Sequence, residues 1–449
     1  MATDVRTQAA AARVAARRLA TATAADRDAA LAAIAATLRS RRERVLQANA
    51  EDLHLAEELV RRGELGEPLL KRLSLAGAKY ESVVAMVDSV RGQPDPLGVT
   101  QSAVELDRGL VVYRVTVPIG VIGVIFESRP DALVQIASLC LKSGNAVLLK
   151  GGREAIHSNR VLAETIQAAT AGLPGIPAEW LTLLETREEV GALLELDREV
   201  DLIVPRGSNE FVGHIMRHTR IPVMGHADGI CHVYIDRGAD LEKAVRITVD
   251  SKTQYVAVCN AAETLLVHQE IAAPFVARVV PALTAKGVTL RGDQRARALS
   301  PFPMAAATEA DWATEYLDLI LSVRVVDSLA EAVEHVNRYG SHHTDTIVTE
   351  DKAAATEFLR AVDAASVMCN ASTRFADGYR YGLGAEVGIS TSRLHSRGPV
   401  GLEGLVIYKY VLEGEGQIVD DYEGTSPKPY LHRRLQTPWP GGPAEGKPR

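Results

Sequence analysis

Cysteine is the residue type in this chain best suited to act as a nucleophile, because a thiolate attacks carbonyl carbon readily. The chain has 449 residues and four cysteines, which are Cys140, Cys231, Cys259 and Cys369. They lie far apart without a C-x-x-C pair, so their spacing indicates neither a zinc knuckle nor a disulfide framework. Cys259 lies in SKTQYVAVCNAAETLLVH. An isolated cysteine is usually a small buried hydrophobe, so spacing alone leaves a structural and a catalytic interpretation open.

Two turns at predicted strand ends could bind an anion. They are LKGG at 149–152 and PRGS at 205–208, and the second leads into a predicted helix. The free N–H groups of a helix start favour phosphate. Taken singly, each turn is also explained as the flexible end of a strand that binds no ligand. Because no G-x-G-x-x-G follows a strand, the commonest dinucleotide fingerprint is missing, and these turns are its candidate replacement.

The adjacent histidines His342 and His343 raise the question of a metal site. Adjacent side chains on a strand point to opposite faces of a sheet. A single pair without further ligands does not make a metal centre. We therefore expect no bound metal.

Short apolar strands alternate with helices through the middle of the chain. Strands are predicted at 120–126, 145–150, 180–185 and 201–205, with helices at 130–143, 155–171, 188–196 and 209–219. This alternation predicts a doubly wound parallel sheet, with ligands at the carboxyl ends of its strands. Further strands at 230–236, 264–268, 288–290, 321–326 and 345–350 predict a second α/β unit. Cys259 would then lie near the cleft between the two units.

The two ends of the chain predict simpler elements. Apolar residues recur at helical spacing between 25 and 60, which predicts one long amphipathic helix. The segment 102–117 reads as two strands joined by a turn at 107–109, and therefore predicts a hairpin. Residues 437–449 are rich in proline and glycine and predict a mobile tail.

The bulk composition excludes several classes of protein. With 47% hydrophobic and 24% charged residues, the chain has the composition of a globular enzyme. A net charge of −7 argues against a nucleic-acid partner. No apolar run reaches the roughly 18 residues needed to span a bilayer. We expect a cytoplasmic protein with no membrane partner.

Five blocks of sequence carry a family resemblance. They are 117–132, 145–159, 223–236, the Cys259 segment and 381–405. Together they resemble the glutamate-5-semialdehyde dehydrogenase family of the aldehyde dehydrogenase superfamily, and the match runs from about residue 10 to residue 420.

The resemblance implies an aldehyde dehydrogenase-like α/β fold with a doubly wound cofactor domain, a second α/β catalytic domain and an oligomerisation hairpin. The implied divisions are a cofactor-binding domain at 1–97 and 118–236, a catalytic domain at 237–402, oligomerisation elements at 98–117 and 403–423, and a tail at 424–449.

The resemblance also assigns residues to the reaction. Cys259 would be the nucleophile, and Asn260 would help to position the thioester carbonyl. The backbone N–H of Cys259 is one candidate oxyanion donor. The superfamily's usual oxyanion asparagine has no clear counterpart, and Ser128 is the candidate second donor. Ser128 shortly before Pro130 is equally well explained as a helix cap.

Further residues would bind the cofactor and the substrate. By resemblance Lys150 binds the adenosine ribose, Gly207 and Ser208 bind the pyrophosphate, and Glu315 binds the nicotinamide ribose. Arg206 or Arg153 could supply a 2′-phosphate site. Arg129 and Arg374 are candidates for binding the phosphate or α-carboxylate of the substrate, because a guanidinium group binds such anions bidentately.

One departure from the hydrolytic relatives is informative. Those enzymes carry a Glu-Leu-Gly-Gly motif whose glutamate activates water, whereas this chain has Val223, Met224, Gly225 and His226. An apolar side chain in place of the base suits a reductase, because a thioester must survive until hydride arrives.

The resemblance therefore implies an NADPH-dependent reductase of L-glutamyl 5-phosphate in proline biosynthesis. A Cys259 thiolate, with its pKa lowered by a helix N-terminus or a cation such as Lys252, would expel phosphate and form a thioester. Expected partners are a second copy of the chain in a homo-oligomer and, transiently, a glutamate kinase. The alternatives are a phosphate-independent or CoA-acylating aldehyde dehydrogenase, and a catalytically idle nucleotide-binding or scaffold protein.

Overall fold

A computed structural model describes residues 4–63, 70, 72–127, 129–207, 209–226 and 228–442. Two predicted site residues, Ser128 and Ser208, lie outside the described residues. The described α-helices are α1 Val5–Leu19, α2 Ala24–Ser40, α3 Arg42–Arg61, α4 Ala78–Arg91, α5 Pro130–Lys142, α6 Ile156–Thr170, α7 Arg187–Leu193, α8 Asn209–His218, α9 Leu241–Thr253, α10 Gln269–Thr284, α11 Gln294–Leu299, α12 Leu329–Tyr339 and α13 Lys352–Ala361.

The described strands form four sheets. They are β1 Thr100–Asp107, β2 Leu110–Pro118, β3 Val121–Phe126, β4 Ala146–Lys150, β5 Leu181–Leu184, β6 Leu202–Arg206, β7 Cys231–Ile235, β8 Ala262–His268, β9 Thr289–Gly292, β10 Ala305–Ala306, β11 Ile320–Val326, β12 Thr344–Val348, β13 Ser366–Cys369, β14 Gly388–Ser390, β15 Gly398–Val400, β16 Val406–Glu413 and β17 Arg433–Leu435.

The first parallel sheet has the strand order β5-β4-β3-β6. Alternate side chains of β3 enter two different cores, with Ile122 and Val124 in one and Val121 and Ile125 in the other. Helices cover both faces, so the strands are continuously apolar, as the sequence predicts for a doubly wound sheet. Each fully buried Ile or Val stabilises the fold by about 1.5–3 kcal/mol.

Local signals fix where the helices begin and end. Thr23 and Asp26 form a reciprocal capping box that starts α2. Pro130 occupies the first turn of α5, where its missing N–H costs nothing. The single helix predicted at 25–60 is instead two helices, because the backbone at Arg41 leaves helical geometry (φ −98°, ψ 15°). Amphipathic periodicity continues across this break, so the sequence pattern did not reveal it.

The second parallel sheet has the order β10-β9-β11-β8-β7-β12-β13. Here β7 lies between β8 and β12, which differs from the predicted division that ends the cofactor domain at residue 236. The segment 385–405 also departs from the predicted division at 402, since Ala385, Val387 and Leu405 pack into the core of the first sheet. Both differences arise from long-range pairing, which local periodicity does not encode.

The predicted hairpin at 102–117 is present as β1 and β2, within an antiparallel sheet of order β16-β2-β1-β17. The segment after residue 402 contributes β16, as expected. Just before the segment predicted as a mobile tail, β17 pairs with β1, and within its described part the Trp439 backbone N–H donates to Thr100 Oγ1 at 2.7 Å. Trp439 also packs beside the small apolar cluster of β1 and β2, which explains the order. Among the described residues, no helix is long and apolar enough to cross a membrane.

Candidate active site

Cys259 lies in the loop between α9 and β8 and is partly exposed. The other described cysteines differ from it. Cys140 and Cys231 are buried, and burial raises the pKa of each thiol well above its usual value. Cys369 is partly exposed, but burial still raises its pKa. An accessible thiol in a loop is the better nucleophile, because the thiolate is the reactive form.

The chain packs tightly against the backbone of Cys259. A Cβ atom on Gly229 would lie 2.2 Å from the Cys259 carbonyl oxygen, so only glycine allows this approach. The Cys231 thiol donates a hydrogen bond to the same oxygen, with 3.2 Å between the heavy atoms. Both contacts come from the start of β7. They hold the nucleophile loop against the amino edge of the second sheet.

Asn260 connects the nucleophile loop to the segment after β13. Its Nδ2 donates to the Ala376 carbonyl at 2.8 Å, and its own carbonyl accepts from Thr373 Oγ1 at 2.7 Å. Its buried Oδ1 has no hydrogen-bond partner among the described residues. The predicted contact of Asn260 with the thioester stays a prediction. What the geometry gives is a positioning role, because these bonds fix Cys259 relative to Arg374.

Two guanidinium groups interact electrostatically with Cys259. Burial lowers the pKa of Arg374, and the negative charge of the Cys259 thiolate opposes that shift. Burial also lowers the pKa of Arg206, and Cys259 again opposes it. Arg374 is held by a hydrogen bond from its Nε to Gln254 Oε1 at 2.9 Å. Both guanidinium groups therefore lie near the Cys259 thiol.

Lys252, suggested by the sequence as the activating cation, has another partner. Its Nζ lies 2.6 Å from Glu263 Oε2, and both side chains are buried. Burial lowers the pKa of Lys252 and raises the pKa of Glu263 to about 7. The positive charge of Lys252 is therefore balanced by Glu263 and is not the isolated cation that the sequence suggested for Cys259. The suggested helix N-terminus near Cys259 stays a prediction.

Arg206 lies in a charged group with Arg129 and Glu386. Arg129 precedes Pro130 at the start of α5, and its charge lowers the pKa of Arg206 while Glu386 raises it. Glu386 accepts a hydrogen bond from the Gly378 backbone N–H at 2.8 Å, and burial raises its pKa. Sequence reasoning missed Glu386, although it lies within the block 381–405 that carries the resemblance. No local signal distinguishes it from a solvated glutamate.

Two histidines lie beside Cys259, and sequence reasoning missed both as neighbours of the thiol. One ligand atom each of His226, His343 and Cys259 lies within 4.8 Å of the others. His226 Nδ1 lies 2.9 Å from the Ile389 carbonyl oxygen, and burial lowers the pKa of its ring. The His342 ring turns to the Asp363 carbonyl instead, with Nδ1 and oxygen 2.6 Å apart. His342 and His343 lie just before β12 rather than on a strand, with His342 at φ 61°, and distant segments supply His343 with neighbours.

The predicted cofactor residues lie at the carboxyl edge of the first sheet. Lys150 pairs with Ile125, and Arg206 pairs with Phe126, so β4 and β6 end on either side of β3. Gly207 is exposed, and a Cβ there would lie only 3.0 Å from the Glu127 carboxylate carbon. The predicted contact of this turn with a pyrophosphate stays a prediction. Glu315 interacts electrostatically with His226, which places it on the nucleophile side of the cleft.

The position of the missing hydrolytic base is apolar. Val223 forms a parallel bridge with Ile203 at the edge of the first sheet, and its side chain packs against the core there. Met224 beside it is fully buried. Neither side chain can activate a water molecule.

A parallel cofactor sheet facing a loop cysteine defines a thiol-dependent dehydrogenase, and comparison with known proteins agrees. The model described as the aldehyde dehydrogenase family matches residues 1–319. The chain belongs to this family.

Within this family, the similar proteins described next all carry one enzyme name. It is 58% identical over 427 residues to "Gamma-glutamyl phosphate reductase" of Synechococcus sp. strain JA-3-3Ab, covering 95% of this chain and 94% of the relative. It is 57% identical to the protein of that name from Pelotomaculum thermopropionicum, with 90% and 92% covered. The crystal structure of gamma-glutamyl phosphate reductase from Thermotoga maritima matches with a TM-score of 0.88 and 39% identity, covering 93% of this chain and 100% of that one.

Proposed function

We propose that this chain reduces L-glutamyl 5-phosphate to L-glutamate 5-semialdehyde with NADPH and releases phosphate, as a step of proline biosynthesis. The relatives named gamma-glutamyl phosphate reductase support the substrate. The observation that carries the chemistry is a partly exposed Cys259 within electrostatic reach of Arg206 and Arg374.

In the first step the Cys259 thiolate attacks the acyl carbon, and the carbon–oxygen bond to phosphate breaks. The two guanidinium groups stabilise the thiolate and the phosphate that leaves. The Cys259 backbone N–H is the proposed oxyanion donor. Loss of one such donor typically costs about 100- to 1000-fold in rate. Ser128 stays a proposed second donor.

The carboxyl edge of the first sheet fits a dinucleotide, because Lys150 and the open turn at Gly207 flank β3. When bound, NADPH supplies the hydride that reduces the thioester. We propose that Lys150 binds the adenosine ribose, that the turn at 206–208 binds the pyrophosphate, and that Glu315 binds the nicotinamide ribose. Collapse of the reduced intermediate then breaks the carbon–sulfur bond and releases the aldehyde.

Arg206 is better placed for the substrate than for the cofactor 2′-phosphate, because its charged neighbours are Cys259, Glu386 and Arg129. Arg153 is exposed in the turn that follows Lys150, and we propose it as the 2′-phosphate contact. Arg129 and Arg374 would bind the anionic groups of the substrate. Glu386 offers an opposite charge for the α-ammonium group.

The apolar site at Val223 protects the thioester from water. Its side chain packs against the first core, so that no carboxylate occupies this position to generate hydroxide. The acyl group therefore waits for hydride rather than for hydrolysis.

We further propose that the chain acts as a cytoplasmic homo-oligomer. β16 exposes apolar side chains beside the charged Lys409 and Glu413, with Tyr410 66% and Leu412 57% exposed. Exposed apolar patches of this kind mark interaction surfaces. A transient contact with a glutamate kinase would deliver the labile acyl phosphate. Light scattering in solution tests the oligomer.

The test of the reaction is aldehyde-driven cofactor reduction, assayed with and without inorganic phosphate and with both nucleotides. The proposal expects strict phosphate dependence and a preference for NADP⁺. Turnover that needs coenzyme A instead of phosphate would support the CoA-acylating alternative. Stoichiometric alkylation of Cys259, prevented by substrate, would exclude an idle scaffold.

A further inference from the structure

The three residues His226, Cys259 and His343, called here the thiol–histidine cluster, come from different parts of the chain. His226 follows the edge of the first sheet, Cys259 precedes β8 and His343 precedes β12. One ligand atom of each lies within 4.8 Å of the other two. The two imidazole rings meet edge to face, with centroids 4.9 Å apart at 73°.

His343 carries an independent sign that a ligand belongs here. It is 1% exposed, and its Nδ1 lies 2.8 Å from Thr344 Oγ1. Its buried Nε2 has no hydrogen-bond partner among the described residues. A buried polar atom left without a partner is destabilising. A bound ion would satisfy it.

The tautomer of His226 is fixed by a backbone contact. Because Nδ1 faces the Ile389 carbonyl, it must carry the proton and donate, which leaves a lone pair on Nε2. A ligating histidine typically donates its other ring N–H to a backbone carbonyl, which fixes the tautomer. The nearby Cys231 thiol is excluded as a ligand, because it donates to the Cys259 carbonyl and faces Nδ1 of His343 at 3.8 Å.

We propose that the thiol–histidine cluster is a binding site for Zn²⁺, in which Cys259 Sγ and one nitrogen each of His226 and His343 are the ligands and water completes a tetrahedral shell. Two imidazoles and a thiolate suit this borderline-soft cation. With Zn–N of about 2.0 Å and Zn–S of about 2.3 Å, ligands lie about 3.5 Å apart, so the side chains must close by about 1 Å. Binding replaces the thiol proton, which passes to solvent, and involves no redox change.

Occupancy masks the nucleophile, so Zn²⁺ inhibits reversibly and shields the thiol from oxidation and alkylation. The binding itself does not depend on the substrate proposed above. The readouts are therefore chosen to be independent of turnover.

The experiment uses the full chain, Zn²⁺ with a competing chromophoric chelator, and Cd²⁺ as a spectroscopic probe of thiolate coordination. The variants His226→Asn and His343→Asn keep an amide where Nδ1 was and remove Nε2. His342→Asn makes the same change one residue away and is the matched control. Unfolding curves establish that each variant is folded.

We expect one Zn²⁺ per chain, a Cd–thiolate charge-transfer band, and protection of Cys259 from iodoacetamide that a chelator reverses. Each cluster variant should bind Zn²⁺ at least ~100-fold more weakly, and His342→Asn should bind like the unaltered chain. Binding without a Cd–thiolate band, or equal affinity in folded His226→Asn and His343→Asn, would overturn the proposal. If one of the two cluster variants does not fold, the Zn²⁺ affinity of the other one tests the proposal.

Discussion

The two parallel sheets present opposite edges to the candidate site. In the first sheet Lys150 and Arg206 end strands, so the site lies at the carboxyl edge. In the second sheet Gly229, Cys259 and His343 precede the adjacent strands β7, β8 and β12. The first arrangement follows the general rule for ligands of open α/β sheets, and the second does not.

In the proposed reaction this difference gives the cofactor and the nucleophile to different sheets. The carboxyl edge of the first sheet supplies the open turns for a nucleotide. The amino edge of the second sheet supplies a nucleophile whose loop is fixed by close backbone packing and by bonds from Asn260. Changes at Lys150 or Gly207 should therefore alter cofactor binding, whereas changes at the amino edge of the second sheet, or at Arg206 facing it, should alter chemistry.

The largest effect should come from Cys259→Ala at the amino edge. Removal of a nucleophile typically lowers kcat by about 10⁴-fold or more. The measurement is phosphate-dependent reduction of NADP⁺ by the semialdehyde. Cys369→Ala, at the other partly exposed cysteine, should retain full turnover. Comparable losses in both variants would contradict the assignment.

The next effect concerns stability beneath the same edge. Lys252→Met leaves Glu263 buried without its partner, which should lower the free energy of unfolding by about 3–5 kcal/mol. The double variant Lys252→Met/Glu263→Leu removes both charges and should recover most of the loss. Urea unfolding measures both. A single variant as stable as the unaltered chain would show that the pair does not support the loop.

A smaller effect on chemistry is expected from Gly229→Ala. The added Cβ must displace the Cys259 backbone, and misplacement of a reacting group by about 1 Å costs roughly 100-fold in rate. Gly191→Ala is the control, because a Cβ there meets nothing within 4 Å and favours α7 by about 0.5–1 kcal/mol. The measurement is the steady-state kcat of both variants. Equal kcat values for Gly229→Ala and Gly191→Ala would count against the role of Gly229.

The smallest effect should come from the carboxyl edge. Lys150→Met should raise the KM for NADPH about 10-fold, as expected for loss of one hydrogen bond to a charged group, with kcat little changed. Cys259 should be alkylated at the unaltered rate. A fall in kcat without a change in the KM for NADPH would contradict the proposed role of Lys150 in cofactor binding.

Much of the fold could be predicted from the sequence because its signals are local. The continuous apolar runs of β3 and β4 and the proline at the start of α5 place those elements within one or two residues. The pairing of β7 with β8 and β12 could not be predicted, because any strand buried on both faces has the same apolar pattern. Local signals also gave no reason to separate α2 from α3.

The candidate site divides in the same way. Cys259 and Arg374 were predictable through the resemblance, which covers their segments. The neighbours of Cys259 were not, since His226 and His343 are 117 positions apart in the chain and meet only through sheet packing. Lys252 is close to Cys259 in sequence, but its partner Glu263 begins the adjacent strand and takes its charge.

The central claim is that Cys259 carries the acyl group and shelters it from water. The most direct measurement is mass spectrometry of the protein after reaction with L-glutamyl 5-phosphate in the absence of cofactor. The account predicts a glutamyl adduct on Cys259 that persists in buffer, reacts with hydroxylamine and disappears when NADPH is added. Release of phosphate with no adduct on Cys259, or an adduct on another residue, would contradict it.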